Sequence, residues 1–139
     1  MTTKALYFVL FLLLITSCKI NQFKNNLRHG RWVYKDSTSN DVMLSKGRYR
    51  NGDEIGKWKH YTNGILFRQE KFKENRARVV NYYPNKKIES EGMTGLDRST
   101  EMIHWYYDGK WNFYTEEGKL DSVKIYEKGS LVSSEGAEY

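Results

Sequence analysis

The sequence predicts an all-β protein, a single-layer antiparallel sheet of repeated β-hairpins that follows an N-terminal export signal. Aromatic residues make up 15% of the chain, with 11 Tyr and 4 Trp, and the chain has a single Pro. This composition is typical of strands. A bulky segment followed by a turn recurs about every 22 residues, as expected for a hairpin array. At 139 residues the chain is long enough for one domain and one core.

The first residues predict export rather than a transmembrane helix. Lys4 precedes an apolar run from Ala5 to Ile15, which is about half the roughly 20 residues that a spanning helix needs. The run ends in Ile15-Thr16-Ser17-Cys18, which resembles the lipobox of bacterial lipoproteins. That resemblance implies cleavage after Ser17 and lipid on Cys18, as a thioether diacylglycerol and an acylated amine. Two or three acyl chains would anchor the protein stably on a membrane.

The cysteine count supports this interpretation. Cys18 is the only cysteine of the chain, so an exported form has no disulfide partner for it. The alternative is an ordinary secretory peptide with a chance cysteine near the cut. We therefore expect a protein of the bacterial cell envelope, anchored on the outer membrane. The predicted parts are a signal peptide over 1–17, a lipidated tether over 18–28, a repeat domain over 29–132 and a flexible tail over 133–139.

Three segments of the chain repeat one design. In each, two bulky residues two positions apart share one face of a strand, a tyrosine lies at the strand end, and a turn follows. The turns contain Asn63-Gly64, which permits positive φ, and Pro84, which presets the first turn residue. The aligned bulky residues are Trp58 with His60, Val80 with Tyr82, and Trp111 with Phe113. We expect Trp58→Ala and Trp111→Ala each to cost several kcal/mol by leaving a cavity.

Two of these copies resemble a known repeat. Gly47-Arg48-Tyr49-Arg50-Asn51-Gly52, then Gly56-Lys57-Trp58 and Tyr61-Thr62-Asn63-Gly64, resemble the MORN-repeat variant found in bacteria, especially in lipoproteins of the Bacteroidetes. Relatives of this type often carry the label of a toxin–antitoxin antitoxin. In the middle copy the glycines are replaced, and a segment over 93–102 interrupts the period. The residues predicted to maintain the repeat are Gly47, Tyr49, Gly52, Gly56, Trp58, Tyr61, Gly64, Tyr83, Tyr114 and Gly118.

The densest aromatic cluster is the first candidate for a binding surface. It comprises Trp105, Tyr106, Tyr107 and Trp111. Because successive strand residues point to opposite faces, Trp105 and Tyr106 cannot share one core. A single-layer sheet has little to cover its second face, which would leave an exposed aromatic band. The sequence leaves open whether that band is a binding surface or an ordinary rim.

A basic strip is the second candidate. Removing residues 1–17 removes Lys4 and no acidic residue, so the net charge falls from +6 to +5. Positions 71 to 87 contain six cations and one acidic residue, Glu74. The net charge of this segment therefore equals the whole net charge that remains after residues 1–17 are removed. The strip could face anionic headgroups or an acidic partner, or it could be a solvated sheet edge guarded by charge. Its cations are Lys71, Lys73, Arg76, Arg78, Lys86 and Lys87.

Catalytic patterns are weak in this sequence. His29, His60 and His104 are widely spaced and lack the tight pairing of metal sites, and His60 occupies a packing position of the repeat. We therefore expect a non-enzymatic protein with no metal and no cofactor. Its predicted role is to present a hairpin-repeat surface to a protein partner, whose identity the sequence does not give.

Other functional interpretations stay open. They are an antitoxin or immunity role, which rests only on the labels of similar sequences, and binding of an anionic lipid or glycan through the basic strip. Self-association of the sheet is a further interpretation. Nucleic acid is disfavoured by the expected compartment despite the basic charge.

Overall fold

The computed structural model describes residues 19–99 and 104–137. In this part of the chain every strand pairs antiparallel with its sequence neighbours, giving one open sheet in the order β1 to β10. The predicted fold class is confirmed. The predicted signal peptide and Cys18 lie outside the described residues.

The strands follow one another with short turns. They are β1 (Gln22–Lys24), β2 (Leu27–Ser37), β3 (Val42–Arg50), β4 (Asp53–Thr62), β5 (Ile65–Lys73), β6 (Arg76–Tyr82), β7 (Ile88–Asp97), β8 (His104–Tyr114), β9 (Leu120–Glu127) and β10 (Ser130–Gly136). Within the described ranges no helix is long and apolar enough to cross a membrane.

Two predicted boundaries are wrong. The tether predicted over 18–28 contains β1 and the start of β2, and the Asn21 side chain pairs with both backbone groups of Val33, at 2.7 and 2.9 Å. The tail predicted over 133–139 contains most of β10, which pairs with β9. Polar composition suggested flexibility in both segments, but in a sheet the backbone pairs whatever its side chains are.

The two faces of the sheet differ in chemistry. One face carries buried rings, and cross-strand neighbours on it touch edge to face, as Tyr49 does with Trp32 and Trp58 at ring-centroid distances of 5.5 and 5.1 Å. We call this the aromatic face and the opposite one the basic face. Buried side chains on the aromatic face include Trp32, Tyr49, Trp58, Phe72, Ala77, Val79 and Trp111.

The sheet curls over its aromatic face. Phe72 on β5 and Trp105 on β8 have ring centroids 5.3 Å apart. These strands are three positions apart, which is about 14 Å in a flat sheet. Curvature therefore lets a single layer bury its rings, and it explains why Trp58 is 1% exposed and Trp111 is fully buried.

Two tryptophans lie against glycines of the preceding strand. A Cβ added at Gly47 would overlap the Trp58 ring, and one added at Gly92 would overlap the Trp111 ring. At both places the strand register is irregular. Gly47 stands opposite the three residues 56–58, and Gly92 stands opposite the three residues 109–111. Each is a β-bulge with two extra residues on the longer strand.

The middle copy of the repeat is aligned one residue away from the prediction. Direct partners in the register share a face, and Glu70 pairs with both Trp58 and Val79. Val79, which is fully buried, therefore lies on the aromatic face, whereas Val80 and Tyr82 do not. The predicted match of Val80 and Tyr82 with Trp58 and His60 is wrong, because the segment contains no glycine that would fix its register.

Candidate binding site on the basic face

Cations stand directly opposite one another on the basic face. The register places Arg31 opposite Arg48, and Lys46 opposite Lys59. The pattern continues across β5 and β6, where Lys71 lies between two cationic neighbours. Like charges in directly opposed positions destabilise a sheet, so this arrangement costs folding free energy. The further opposed pairs are Lys57 with Lys71, Lys71 with Arg78, and Lys73 with Arg76.

The cations on β2, β3 and β4 surround a hollow of about 440 Å³, which we call the first hollow. Gly47 lies at its floor because it has no side chain on either face and Trp58 covers its other side. Among the described residues no acidic side chain lines it. Its lining consists of Arg31, Lys46, Arg48, Lys57 and Lys59, together with Ile20, Trp32, Val33 and Gly47.

The bulge explains how the first hollow forms. Gly56 has φ of 62°, a conformation that glycine adopts without strain, and it lets β4 carry two extra residues past Gly47. The Trp58 indole Nε1 donates to the Arg48 carbonyl oxygen of the neighbouring strand β3 at 3.2 Å. Because the extra residues are even in number, Lys57 and Lys59 keep facing the same side as Lys46.

Four of the lining cations have no carboxylate partner within the described ranges. None of the ion pairs there includes Lys46, Arg48, Lys57 or Lys59. Lys46 instead places its ammonium 4.8 Å from the centre of the Tyr61 ring, a cation–π contact. The first hollow is therefore a concave, strongly electropositive surface that an anion could neutralise.

A second hollow of about 240 Å³ occurs at the equivalent bulge between β7 and β8. Trp111 donates from Nε1 to the Met93 carbonyl oxygen at 2.9 Å, as Trp58 does to Arg48. Here Glu91 takes the position of Lys46, and Arg78 donates to it at 2.9 Å. That hydrogen bond lowers the pKa of Glu91 below its ordinary value. The second hollow is lined by Arg78, Glu91, Gly92, Met93, Lys110 and Asn112.

The predicted basic strip is divided by the fold. Lys71, Lys73, Arg76 and Arg78 lie together on β5 and β6, around a cavity of about 570 Å³ that also contains Glu74 and Met93. Arg76 is paired with Asp108 at 2.8 Å, so part of this charge is compensated. Lys86 and Lys87 instead lie in the turn before β7, where the Lys87 ammonium donates to the Glu117 carbonyl oxygen at 2.9 Å.

The predicted aromatic patch is also divided. Trp111 is fully buried and stacks on Tyr107 with ring centroids 4.0 Å apart, so its inclusion in a contact surface is wrong. Trp105 and Tyr107 are half-buried on the same face, where Trp105 packs against Phe72. Tyr106 lies on the opposite face and covers Gly95, where a Cβ would overlap its ring. These residues build the core more than they offer a surface.

A chain of hydrogen bonds crosses the aromatic face. The Ser45 hydroxyl lies 2.9 Å from Nδ1 of His60, and Nε2 of His60 lies 2.9 Å from a Glu70 carboxylate oxygen. The same carboxylate accepts from Arg68 at 2.7 Å. Burial alone would raise the pKa of Glu70, but the His60 and Arg68 hydrogen bonds more than offset it, so the pKa lies below its ordinary value. In the later copy Phe113 replaces His60, and Lys124 lies 4.7 Å from its ring centre.

A second carboxylate on this face behaves oppositely. Burial and the nearby Glu70 charge raise the pKa of Glu54, although Glu54 accepts a hydrogen bond from the Tyr49 hydroxyl at 3.3 Å. Burial also raises the pKa of Tyr49. His60 keeps its predicted packing role, because its ring stacks on Trp58 at 6.3 Å. In the described ranges no group of three His, Cys, Asp or Glu side chains could hold a metal ion.

The predicted repeat residues have identifiable roles. Gly52, Gly64 and Gly118 have positive φ in turns. Tyr83 donates its hydroxyl to the Tyr114 carbonyl oxygen at 2.8 Å, and Tyr114 donates to Glu91 at 3.0 Å. Sequence reasoning missed Gly92 and the five cations of the first hollow. The sequence did contain a signal for these cations. In Lys46-Gly47-Arg48 and in Lys57-Trp58-Lys59, two cations stand two positions apart and therefore share one face of a strand.

Comparison of the sequence with protein-family models, with curated proteins and with solved structures finds no match. The likeness to the MORN-repeat variant and to lipoproteins therefore rests on the residues quoted above. The geometry of the basic face carries the functional argument.

Proposed function

We propose that the chain is a non-enzymatic binding module of the bacterial cell envelope that presents its basic face to an acidic protein. Lipid on Cys18 would hold it on the outer membrane, as the sequence of residues 15–18 predicts. The observation that carries the proposal is the set of directly opposed cations across β2 to β6. Repeat arrays commonly bind proteins with extended faces of this kind.

The size of the basic face supports a macromolecular partner. Five strands at about 4.8 Å spacing, with nine residues at about 3.3 Å rise, give a face of about 24 by 30 Å. This is close to the roughly 800 Å² that one partner contributes to a standard protein interface. Opposed lysines and arginines would steer an acidic partner toward this face and set its orientation.

An anionic lipid or glycan is a second candidate ligand for the same face. The first hollow favours it, because a concave cluster of five cations is suited to a compact anionic group. Ionic strength does not separate these two candidates, since both are electrostatic. The identity of the captured molecule separates them.

The test is cross-linking in living cells that produce the full chain with a C-terminal tag, followed by mass spectrometry of what is captured. We expect one acidic protein in near-equal amount. Its recovery should be lost in the double variant Lys71→Glu and Lys73→Glu, which reverses a member of each of three opposed pairs and leaves the lining of the first hollow unchanged. The matched control is Lys119→Glu with Lys128→Glu, which changes the net charge equally but lies in turns. Equal recovery from both double variants would contradict the proposal, and recovery of lipid or glycan alone would favour the second candidate.

The lipid anchor has its own test. Cys18→Ala should accumulate as an unprocessed precursor without acyl mass, because the peptidase that cuts lipoproteins acts after the cysteine is lipidated. Intact mass spectrometry of the membrane fraction measures this directly. A correctly cleaved and acylated Cys18→Ala protein would refute the anchor and leave the basic-face proposal to be judged by the capture experiment.

A further inference from the structure

We infer that the first hollow binds a phosphate group, carried either by a soluble phosphate ester or by a lipid headgroup. This deepens the second candidate of the proposed function, an anionic ligand in the first hollow, and rests on it; it does not require a protein to dock on the basic face. The inference rests on the charge of the hollow, on its shape, and on its contrast with the second hollow.

The charge of the hollow calls for a multivalent anion. Lys46 faces Lys59, and Arg48 and Lys57 lie beside them, so four like charges stand together without a lining carboxylate among the described residues. A carboxylate ligand would bring one negative charge and two acceptor oxygens. A phosphate monoester brings about −1.5 to −2 at neutral pH and three strong acceptor oxygens. Phosphate therefore neutralises more of this cluster than a carboxylate does.

The donor types also fit phosphate. The Arg48 guanidinium offers paired N–H donors whose spacing matches phosphate oxygens, and Lys46, Lys57 and Lys59 add ammonium groups as point charges. The volume of about 440 Å³ is within the range of small-molecule sites and exceeds that of one phosphate. The hollow can thus hold the phosphate together with the group to which it is bonded.

The second hollow provides an internal comparison. The register makes Arg78 equivalent to Arg31, Lys110 to Lys57, and Gly92 to Gly47. Three cationic positions of the first hollow carry other residues in the second hollow. There the charge of Arg78 is compensated by an ion pair with Glu91. The backbone bulge therefore does not require the cations. The changed positions are Lys46 with Glu91, Arg48 with Met93, and Lys59 with Asn112.

The test exchanges these positions in the full chain, purified in neutral detergent. The probe is inorganic pyrophosphate, titrated by calorimetry and located by backbone amide NMR shifts, with acetate as the carboxylate control. Wild type should bind pyrophosphate saturably, with shifts centred on Gly47. The triple variant Lys46→Glu, Arg48→Met, Lys59→Asn should bind at least about tenfold more weakly, because it loses three charged donors. Acetate should bind neither protein saturably.

A reciprocal variant gives the second hollow the three cations of the first. It tests the inference even if the triple variant of the first hollow does not fold. Glu91→Lys, Met93→Arg and Asn112→Lys should create pyrophosphate binding with shifts at Gly92. If the triple variant of the first hollow does not fold, the single Lys59→Asn, at a partly exposed position, replaces it. No saturable binding by wild type, or equal binding by wild type and a folded variant, would overturn the inference.

A further arm identifies the source of the phosphate. Flotation with vesicles containing phosphatidic acid, compared with purely zwitterionic vesicles, should depend on the first hollow if the ligand is a headgroup. Because the acyl chains tether wild type and the triple variant alike, the readout is the difference in flotation between the two vesicle types, compared between these two proteins. Pyrophosphate binding without a hollow-dependent vesicle preference assigns a soluble ester. The reversal of Lys71 and Lys73 in the capture experiment changes no residue of the first hollow, so it judges the acidic-protein proposal separately and either idea can fail alone.

Discussion

The two bulges of the sheet share one backbone design and differ in charge. In both, a glycine faces three residues of the next strand and a tryptophan covers the glycine. The tryptophan indole donates a hydrogen bond to a backbone carbonyl oxygen of the glycine's strand. In the part of the chain that the structure describes, the first hollow is lined by five cations and no carboxylate, and the second by two cations and Glu91. The comparison teaches that glycine and tryptophan determine the hollow, whereas the facing side chains determine what it can bind.

The largest expected effect tests whether the two tryptophans are equivalent. Trp58→Ala and Trp111→Ala should each lower the free energy of unfolding by about 3 to 5 kcal/mol, because both rings are almost completely buried. Chemical denaturation followed by circular dichroism measures this. Trp105→Ala, at a half-buried ring, is the control and should cost less. A much smaller loss for Trp111 than for Trp58 would break the equivalence of the two bulges.

The next largest expected effect, again on the free energy of unfolding, tests the two glycines that the tryptophans cover. Gly47→Ala and Gly92→Ala should each destabilise the fold by about 3 kcal/mol, because the new methyl group overlaps a ring that cannot move away. Gly136→Ala is a suitable control, since it lies in a strand with open space around the position. Denaturant midpoints that match wild type for both glycine variants would refute the packing described here.

A smaller effect concerns acid stability, which should differ between the bulges. Arg78 holds the pKa of Glu91 below its ordinary value in the folded state. This contribution is present above the unfolded pKa and is lost as pH falls through the folded pKa, so it declines below about pH 4 to 5. Glu91→Gln should flatten that part of the stability curve, by less than about 1 kcal/mol for a partly exposed pair. Lys46→Gln, the matched control, should leave the acid slope unchanged, and a slope that Glu91→Gln does not alter would contradict the assignment.

The smallest effect has the opposite sign. Lys59→Asn should raise the free energy of unfolding by a few tenths of a kcal/mol, because it removes a like charge directly opposite Lys46. The gain should shrink at high ionic strength, where screening already weakens the repulsion. Denaturation at low and high salt measures both. A loss of stability in Lys59→Asn at low salt would show that the cations do not repel one another as the register implies.

The alternation of side chains was predictable from the sequence, but the partner of each strand residue was not. Trp58 and His60 were correctly placed on one face, since two-residue spacing is a local property. The basic strip was predicted from cations that are close in the sequence, between positions 71 and 87. The cations that meet in the first hollow come from three different strands. Charges that are distant in sequence become neighbours only through the register, which composition does not reveal.

Bulges account for most of the remaining differences. Gly92 was not recognised as the counterpart of Gly47, because its tryptophan follows 19 positions later rather than 11. Val80 was matched to Trp58 because the middle copy lacks the glycine that marks a bulge. Lys57-Trp58 and Lys110-Trp111, each preceded by a glycine with positive φ, were the features that could have aligned the two hollows.

The even number of extra residues in each bulge has a consequence for how such a chain can change over generations. An insertion of one residue would turn the rest of a strand over and expose its rings to water. Two residues leave inward positions inward and outward positions outward, so the outward Ile55, Lys57 and Lys59 keep one orientation across the bulge. A bulge of this size can therefore be gained or lost while the rings stay inside, and the outward positions are free to diverge from copy to copy.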